Sequence, residues 1–207
     1  MKYALKEWNT TVEALGKGQI VGIWRKGGLG ENFTVERNKF ILFPTFTHQS
    51  QDKVKKDFWL LTNENTKLNI DNQVRVKYWA EVEETIPVET LEQLLNASGQ
   101  LVNNEEHLTS SWNLSPNHPG KILLLRVYKL CNPILITNSP EYDGCKSWIE
   151  LKIDIPKTGS KSVSGFRDFQ TKVRHIKALL EQKLKVTTIQ EQPLILNESK
   201  PEEEIFA

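Results

Sequence analysis

Residues 73–86 (QVRVKYWAEVEETI) set Val74, Val76, Tyr78, Ala80 and Val82 on one side of a two-residue alternation and Arg75, Lys77, Trp79, Glu81 and Glu83 on the other. That is the pattern of a strand with one face on a core. Residues 121–130 (KILLLRVYKL) are almost continuously apolar, as expected of a strand covered on both faces. Two such strands exclude an all-helical fold and require a mixed sheet under a helical cover.

The rest of the chain supplies that cover. Apolar Tyr3, Ala4, Val12 and Leu15, with Leu5 and Trp8 between them, recur at helical spacing and stop at Gly16-Lys17-Gly18, which predicts one opening helix. Residues 19–25 (QIVGIWR) and 39–43 (KFILF) read as strands joined through the glycine-rich turn Gly27-Gly28-Leu29-Gly30, with Pro44 closing the second strand. Thr47 is placed to cap a helix over 46–60. Short helices are expected over 88–97 and 104–112, and a last strand over 146–155. Residues 154–165 have the Pro, Gly and Ser content of a linker. Phe166, Phe169, Val173, Ile176, Leu180 and Leu184 then step by three and four along an amphipathic helix over 166–185, and residues 186–207 read as a tail ending near an acidic Pro-Glu-Glu-Glu run.

Charge narrows the function classes only after it is divided along the chain. The 207 residues carry a net charge of +1, yet residues 1–77 hold +5, 78–120 hold −7, 121–151 hold +1, 152–185 hold +6 and 186–207 hold −4. Neutrality is therefore a cancellation. It excludes indiscriminate polyanion binding by the whole surface, and it leaves local basic faces that fit an anionic partner or an internal cover by the acidic blocks. No apolar run approaches the ~18 residues of a membrane span. Charges at Lys6, Glu7 and Glu13 interrupt any secretory leader, and Cys131 and Cys145 are too few for a disulfide scaffold, so a cytoplasmic protein with no membrane contact is expected.

Several groups are candidates for chemistry. Arg25 and Lys26 stand where a strand meets Gly27 and Gly28, pairing a planar donor fork with backbone that a phosphate or guanine edge can approach closely; a tight hairpin with two exposed cations explains them equally. His48 and Gln49 suit a phosphate and an adenine edge, against a purely local capping role for this segment. Trp24, Trp59, Trp79, Trp112 and Trp148 can stack, although most large aromatics are core; Trp79 alone falls on the polar face of its strand, as an exposed stacking platform or a lid under the final helix. Arg167, Lys172 and Arg174 lie opposite the apolar stripe of the last helix, a face for a phosphate backbone or simply for solvent. Cys145 lacks a neighbouring His in sequence and reads as a small residue packed beside a turn. No zinc spacing is present. Asp143, Glu150 and Lys152 superficially match the D…ExK set that holds magnesium in restriction enzymes, but Asp143 precedes Glu150 by only seven positions, which leaves the carboxylates on or next to one strand.

LKEW (residues 5–8), RKGG (25–28), FPTFTHQ (43–49) and YDGCKSW (142–148) together resemble a bacterial family, domain of unknown function 1802, over residues 1 to about 153. Members of that family occur beside a restriction-endonuclease-like domain, which implies a role in restriction or DNA defence with a nuclease partner. More distantly, the element order is similar to PUA-like barrels of the ASCH and EVE type, which implies binding of RNA or of modified DNA bases. The ASCH signature G-x-K-x-x-E-x-R falls on Gly18, Ile20, Ile23 and Arg25, so its lysine and glutamate are isoleucines here and the amidohydrolase activity of some ASCH proteins is not implied.

The combined expectation is an α+β protein: a mixed, PUA-like β-barrel with surrounding helices over 1–153, a linker over 154–165, a basic amphipathic helix over 166–185 and a tail. Its expected function is that of a nucleic-acid-binding accessory module without catalysis, cofactor or metal. DNA or RNA, with or without a modified base, would be bound by Arg25, Lys26, Gly27, Gly28, His48, Gln49, Trp79, Arg167, Lys172 and Arg174. The rival readings are a metal-dependent nuclease and a protein-interaction subunit.

Overall fold

The structure is a computed structural model that describes residues 1–27, 33–63, 72–114, 118 and 120–182. In chain order its elements are β1 (Tyr3–Trp8), α1 (Asn9–Gly16), β2 (Gly22–Arg25), β3 (Lys39–Thr45), α2 (Trp59–Asn63), β4 (Gln73–Val88), α3 (Leu91–Asn96), α4 (Glu105–Asn113), β5 (Gly120–Thr137), β6 (Trp148–Glu150), β7 (Lys161–Ser162) and α5 (Phe166–Glu181). One mixed sheet runs β2-β5-β4-β3-β1-β6, with β7 also paired to β5. β1 and β3 are parallel, and every other ladder is antiparallel.

The α+β class, the surrounding helices and the C-terminal amphipathic helix are as the sequence suggests. The barrel, however, is not closed by a ladder: among the described residues nothing pairs β2 with β6. Side chains bridge the gap instead. Arg25 at the end of β2 reaches β1, four places along the sheet, where its Nη2 lies 2.9 Å from Glu7 Oε2 and also donates to the Lys6 carbonyl. The sheet must curl strongly to bring those strands together.

β4 and β5 pair along nearly their full lengths, with register shifts between Val76 and Tyr78 and between Val82 and Glu84. An extra residue in one strand reverses which face each later side chain meets. Val74 and Val76 therefore pack with Trp79 in one cluster, while Tyr78, Ala80 and Val82 join the opposite one. This overturns the exposed Trp79: it is 8% exposed and stacks on Tyr128 with ring centroids 4.1 Å apart. Strict alternation across the bulge assigns it to the wrong face.

Five local expectations are also corrected. The opening helix begins only at Asn9, because Tyr3–Trp8 is a strand between β3 and β6; covered on both faces, it buries consecutive Ala4 and Leu5, which mimics helical spacing. The helix over 46–60 is replaced by two 3₁₀ turns, Gln51–Lys53 and Lys56–Phe58, and the short α2. Here the Lys55 amide donates to the Val102 carbonyl and the Asn104 amide to the Lys53 carbonyl, so the chain is drawn into a bridge instead of a helix. Pro44 does not end its strand, since β3 runs to Thr45. The segment 154–165 contains β7 and the buried Ile155, and the expected last strand shortens to β6.

α3 starts as its sequence dictates, with Thr90 and Gln93 forming a reciprocal capping box. α5 buries Phe169, Val173, Ile176 and Leu180 against α3, α4 and the sheet, while Phe166 stays 60% exposed, outside the expected stripe. Part of the acidic block is an internal cover: Glu84 pairs with Lys177 of α5 and Glu81 with Lys39.

Gly16 fixes how α1 lies on the sheet. A Cβ there would fall 2.1 Å from the ring of Tyr78. That ring is held by Glu13, and burial first, then the Glu13 carboxylate, pushes its phenol up to about 12. Gly16→Ala should destabilise the protein despite alanine's advantage of about 1 kcal/mol in a helix. Overpacking a core by one methyl typically costs about 1–3 kcal/mol, and here the obstructing ring is buried. A urea midpoint shifted downward at unchanged slope is the expected result.

Candidate binding cleft

Lys6 organises the site. Its ammonium donates to the carbonyls of Tyr142 at 2.6 Å and Gly144 at 2.7 Å, and its backbone amide donates to Ser147. Those bonds tie residues 142–147 to β1, with the turn made at Gly144, whose φ of +77° favours glycine. Burial lowers the Lys6 pKa, and nearby Asp143 acts in the opposite direction. On the other side of β1, Glu7 accepts from the Trp8 amide and from Arg25. Arg25 lies 5.6 Å from the Phe33 ring, and its Nε is buried without a protein partner.

α4 closes the far wall. Asn104 caps it by accepting from the His107 amide, and His107 lies 5.0 Å from the Trp8 ring. Burial first, then Lys53, lowers the His107 pKa, so the imidazole is mostly neutral at pH 7. Lys26 donates to the Trp112 carbonyl and sits 4.4 Å over its ring, and Trp112 stacks with Trp24.

These groups enclose a cleft of about 780 Å³. Its lining includes Lys6, Glu7 and Trp8; Arg25, Lys26 and Gly27; the segment from Phe43 to His48; and the segment from Tyr142 to Ser147. Four stretches remote in sequence thus meet at one place, and they are the four stretches that carry the family resemblance. Residues 4–175 match a domain of unknown function (DUF1802). The chain belongs to the DUF1802 family. No curated protein matches it. Among solved structures, a variant of an ASCH protein from Zymomonas mobilis is similar at 10% identity, with a TM-score of 0.44 over 83% of this chain and 93% of that one.

Within the DUF1802 domain the expected site residues separate. Arg25, Lys26, Gly27 and His48 line the cleft, while Gly28 lies outside the described residues. His48 is exposed with φ +62°, so the backbone turns its side chain at the rim. Gln49 does not line the cleft; its Oε1 accepts from the Thr10 amide at 2.8 Å and so serves the first turn of α1. Trp79 is buried elsewhere. Arg167, Lys172 and Arg174 sit on α5, away from the lining: Lys172 donates to the Gly18 carbonyl and Asp168, and Arg174 bonds within its own helix. The D…ExK set does not assemble either, because Asp143 lines the cleft, Glu150 does not, and Lys152 pairs with Glu141. Among the described residues no group of three or more His, Cys, Asp or Glu comes together. Nor is any described helix long and apolar enough to cross a membrane.

Sequence reasoning missed Trp8, Asn103 and His107, and it undervalued Lys6 and Lys146. Lys6, Trp8 and Lys146 had a signal, since they belong to the LKEW and YDGCKSW stretches. His107 had none, because only the tertiary approach of α4 makes it a wall. Cys145 is exposed at the cleft instead of packed against the turn.

Proposed function

We propose that this DUF1802 domain is a nucleic-acid-binding module whose cleft receives one nucleotide of a strand, and that it works in the cytoplasm as an accessory of restriction or DNA defence beside a nuclease partner. The observation that carries this reading is the convergence of the four segments on one cleft with both aromatic and cationic walls. Its volume lies within the roughly 300–1,000 Å³ of small-ligand sites, enough for a nucleoside and its phosphate. Trp8, His107 and Trp24 offer ring faces, Asn103 and Asn138 offer amides that can pair with a base edge, and exposed His48 and Lys146 stand where a phosphate enters. The Arg25 Nε adds an uncommitted donor at the wall. Arg25 and Lys26 otherwise act through the structure, each engaged by protein groups.

Fluorescence anisotropy with single-stranded DNA, single-stranded RNA and a duplex, with and without a modified base and at two salt concentrations, tests the proposal. Binding that weakens with salt is expected. Lys146→Gln and His48→Asn, both exposed changes, should lower affinity without unfolding the protein. If Lys146 neutralises one phosphate, Lys146→Gln should also reduce the log-log salt slope on a single strand by about 0.7. No binding at low salt refutes the reading.

A further inference from the structure

β7 contributes only two residues to the sheet, and one of its two pairs sets Lys161 directly opposite Lys129. Like charges placed across a ladder repel. Both lysines are exposed, and neither has a carboxylate partner among the described ion pairs. The turn that ends α1 adjoins this ladder: a Cβ on Gly18 would lie 3.6 Å from the Val163 carbonyl oxygen. That turn adds the exposed Lys17 and, through the Gly18 carbonyl, holds Lys172. The two carboxylates beside them, Glu13 and Asp168, are already paired with Lys77 and Lys172. Three ammonium groups with no ion-pair partner among the described residues thus lie at or beside one turn, at the end of α1 away from the cleft, where Thr11 near its start is a lining residue.

We propose that Lys17, Lys129 and Lys161 form a second binding surface, which holds the phosphate backbone of a nucleic acid beyond the nucleotide in the cleft. The proposal rests on the nucleic-acid reading of the cleft and extends it. A backbone phosphate between opposed lysines turns their repulsion into two attractions, and flexible ammonium groups suit a surface that reads no base.

The test compares wild type, Lys129→Gln/Lys161→Gln and Lys17→Gln/Lys129→Gln/Lys161→Gln with the cleft variant Lys146→Gln, using a labelled duplex and a labelled single strand of about two helical turns. The triple variant should bind more weakly, with a duplex salt slope smaller by about 0.9 for each phosphate it no longer neutralises. The double variant should be no less stable to urea than wild type, because a repulsion has been removed. A merely structural role would move stability and binding in the same direction. Unchanged affinity and slope in the triple variant, with weakened binding in Lys146→Gln, overturn this surface and leave the cleft reading standing. Weakening in the triple variant alone supports the surface and counts against the cleft. Absence of binding by the wild type overturns both.

Discussion

Phe169→Ala should lower the unfolding free energy by about 3–5 kcal/mol, the range for truncating a fully buried phenylalanine. Phe169 is 1% exposed and packs in a cluster with Val21, Leu94, Leu101, Ile122 and Leu124. The prediction decides whether α5 is a detachable arm or a wall of the fold. Gly22 and Leu101 line the cleft, and a Cβ on Gly22 would meet Ile176 of α5 at 3.2 Å and Leu101 at 3.7 Å. Ile176, about two turns along α5 from Phe169, therefore stands behind the cleft wall. Urea unfolding should show a single transition at a lower midpoint with the slope kept. A loss under about 1 kcal/mol would mean that the helix contributes little to the core.

Arg25→Ala should cost about 3 kcal/mol, the lower end of the range for breaking a buried ion pair, because it leaves Glu7 charged, 12% exposed and short of a partner. Arg25→Ala/Glu7→Ala should regain most of that loss, since no uncompensated charge remains. Thermal melts of the two single variants and the double variant measure the coupling. The outcome bears on function, because Arg25 spans the gap between β2 and β1 and its removal loosens the wall of the cleft. Weakened binding by Arg25→Ala therefore reports altered architecture as well as a missing donor. A double-variant loss equal to the sum of the two single-variant losses would show that the pair is not the link described.

The pieces of fold legible in the sequence are those set by local pattern. β4, the start of β5 and α5 follow from alternation, an apolar run and three-four stepping, and α3 and α4 are expected as short helices parted at Ser98-Gly99. What escaped depends on tertiary context. The bulge between Val76 and Tyr78 carries no marker such as glycine, yet it decides that Trp79 is core. β1 looks helical because both its faces are covered, and residues 46–60 are diverted by a bridge to residues 102–104 that no local signal announces. The cleft was legible as four motifs and not as one place. His48 and Gln49 are adjacent in sequence, yet one is at the rim of the cleft and the other serves α1.

Cys145 lines the cleft and is exposed, which makes its thiol a reporter for occupancy. With Cys131→Ser leaving a single thiol, the alkylation rate of Cys145 by a small maleimide can be followed against added oligonucleotide. At a strand concentration about ten times Kd the unbound fraction is near one in eleven, so the rate should fall about tenfold if a nucleotide fills the cleft. An alkylation rate unchanged at saturation, with binding confirmed by anisotropy in the same sample, would contradict the cleft as the binding site.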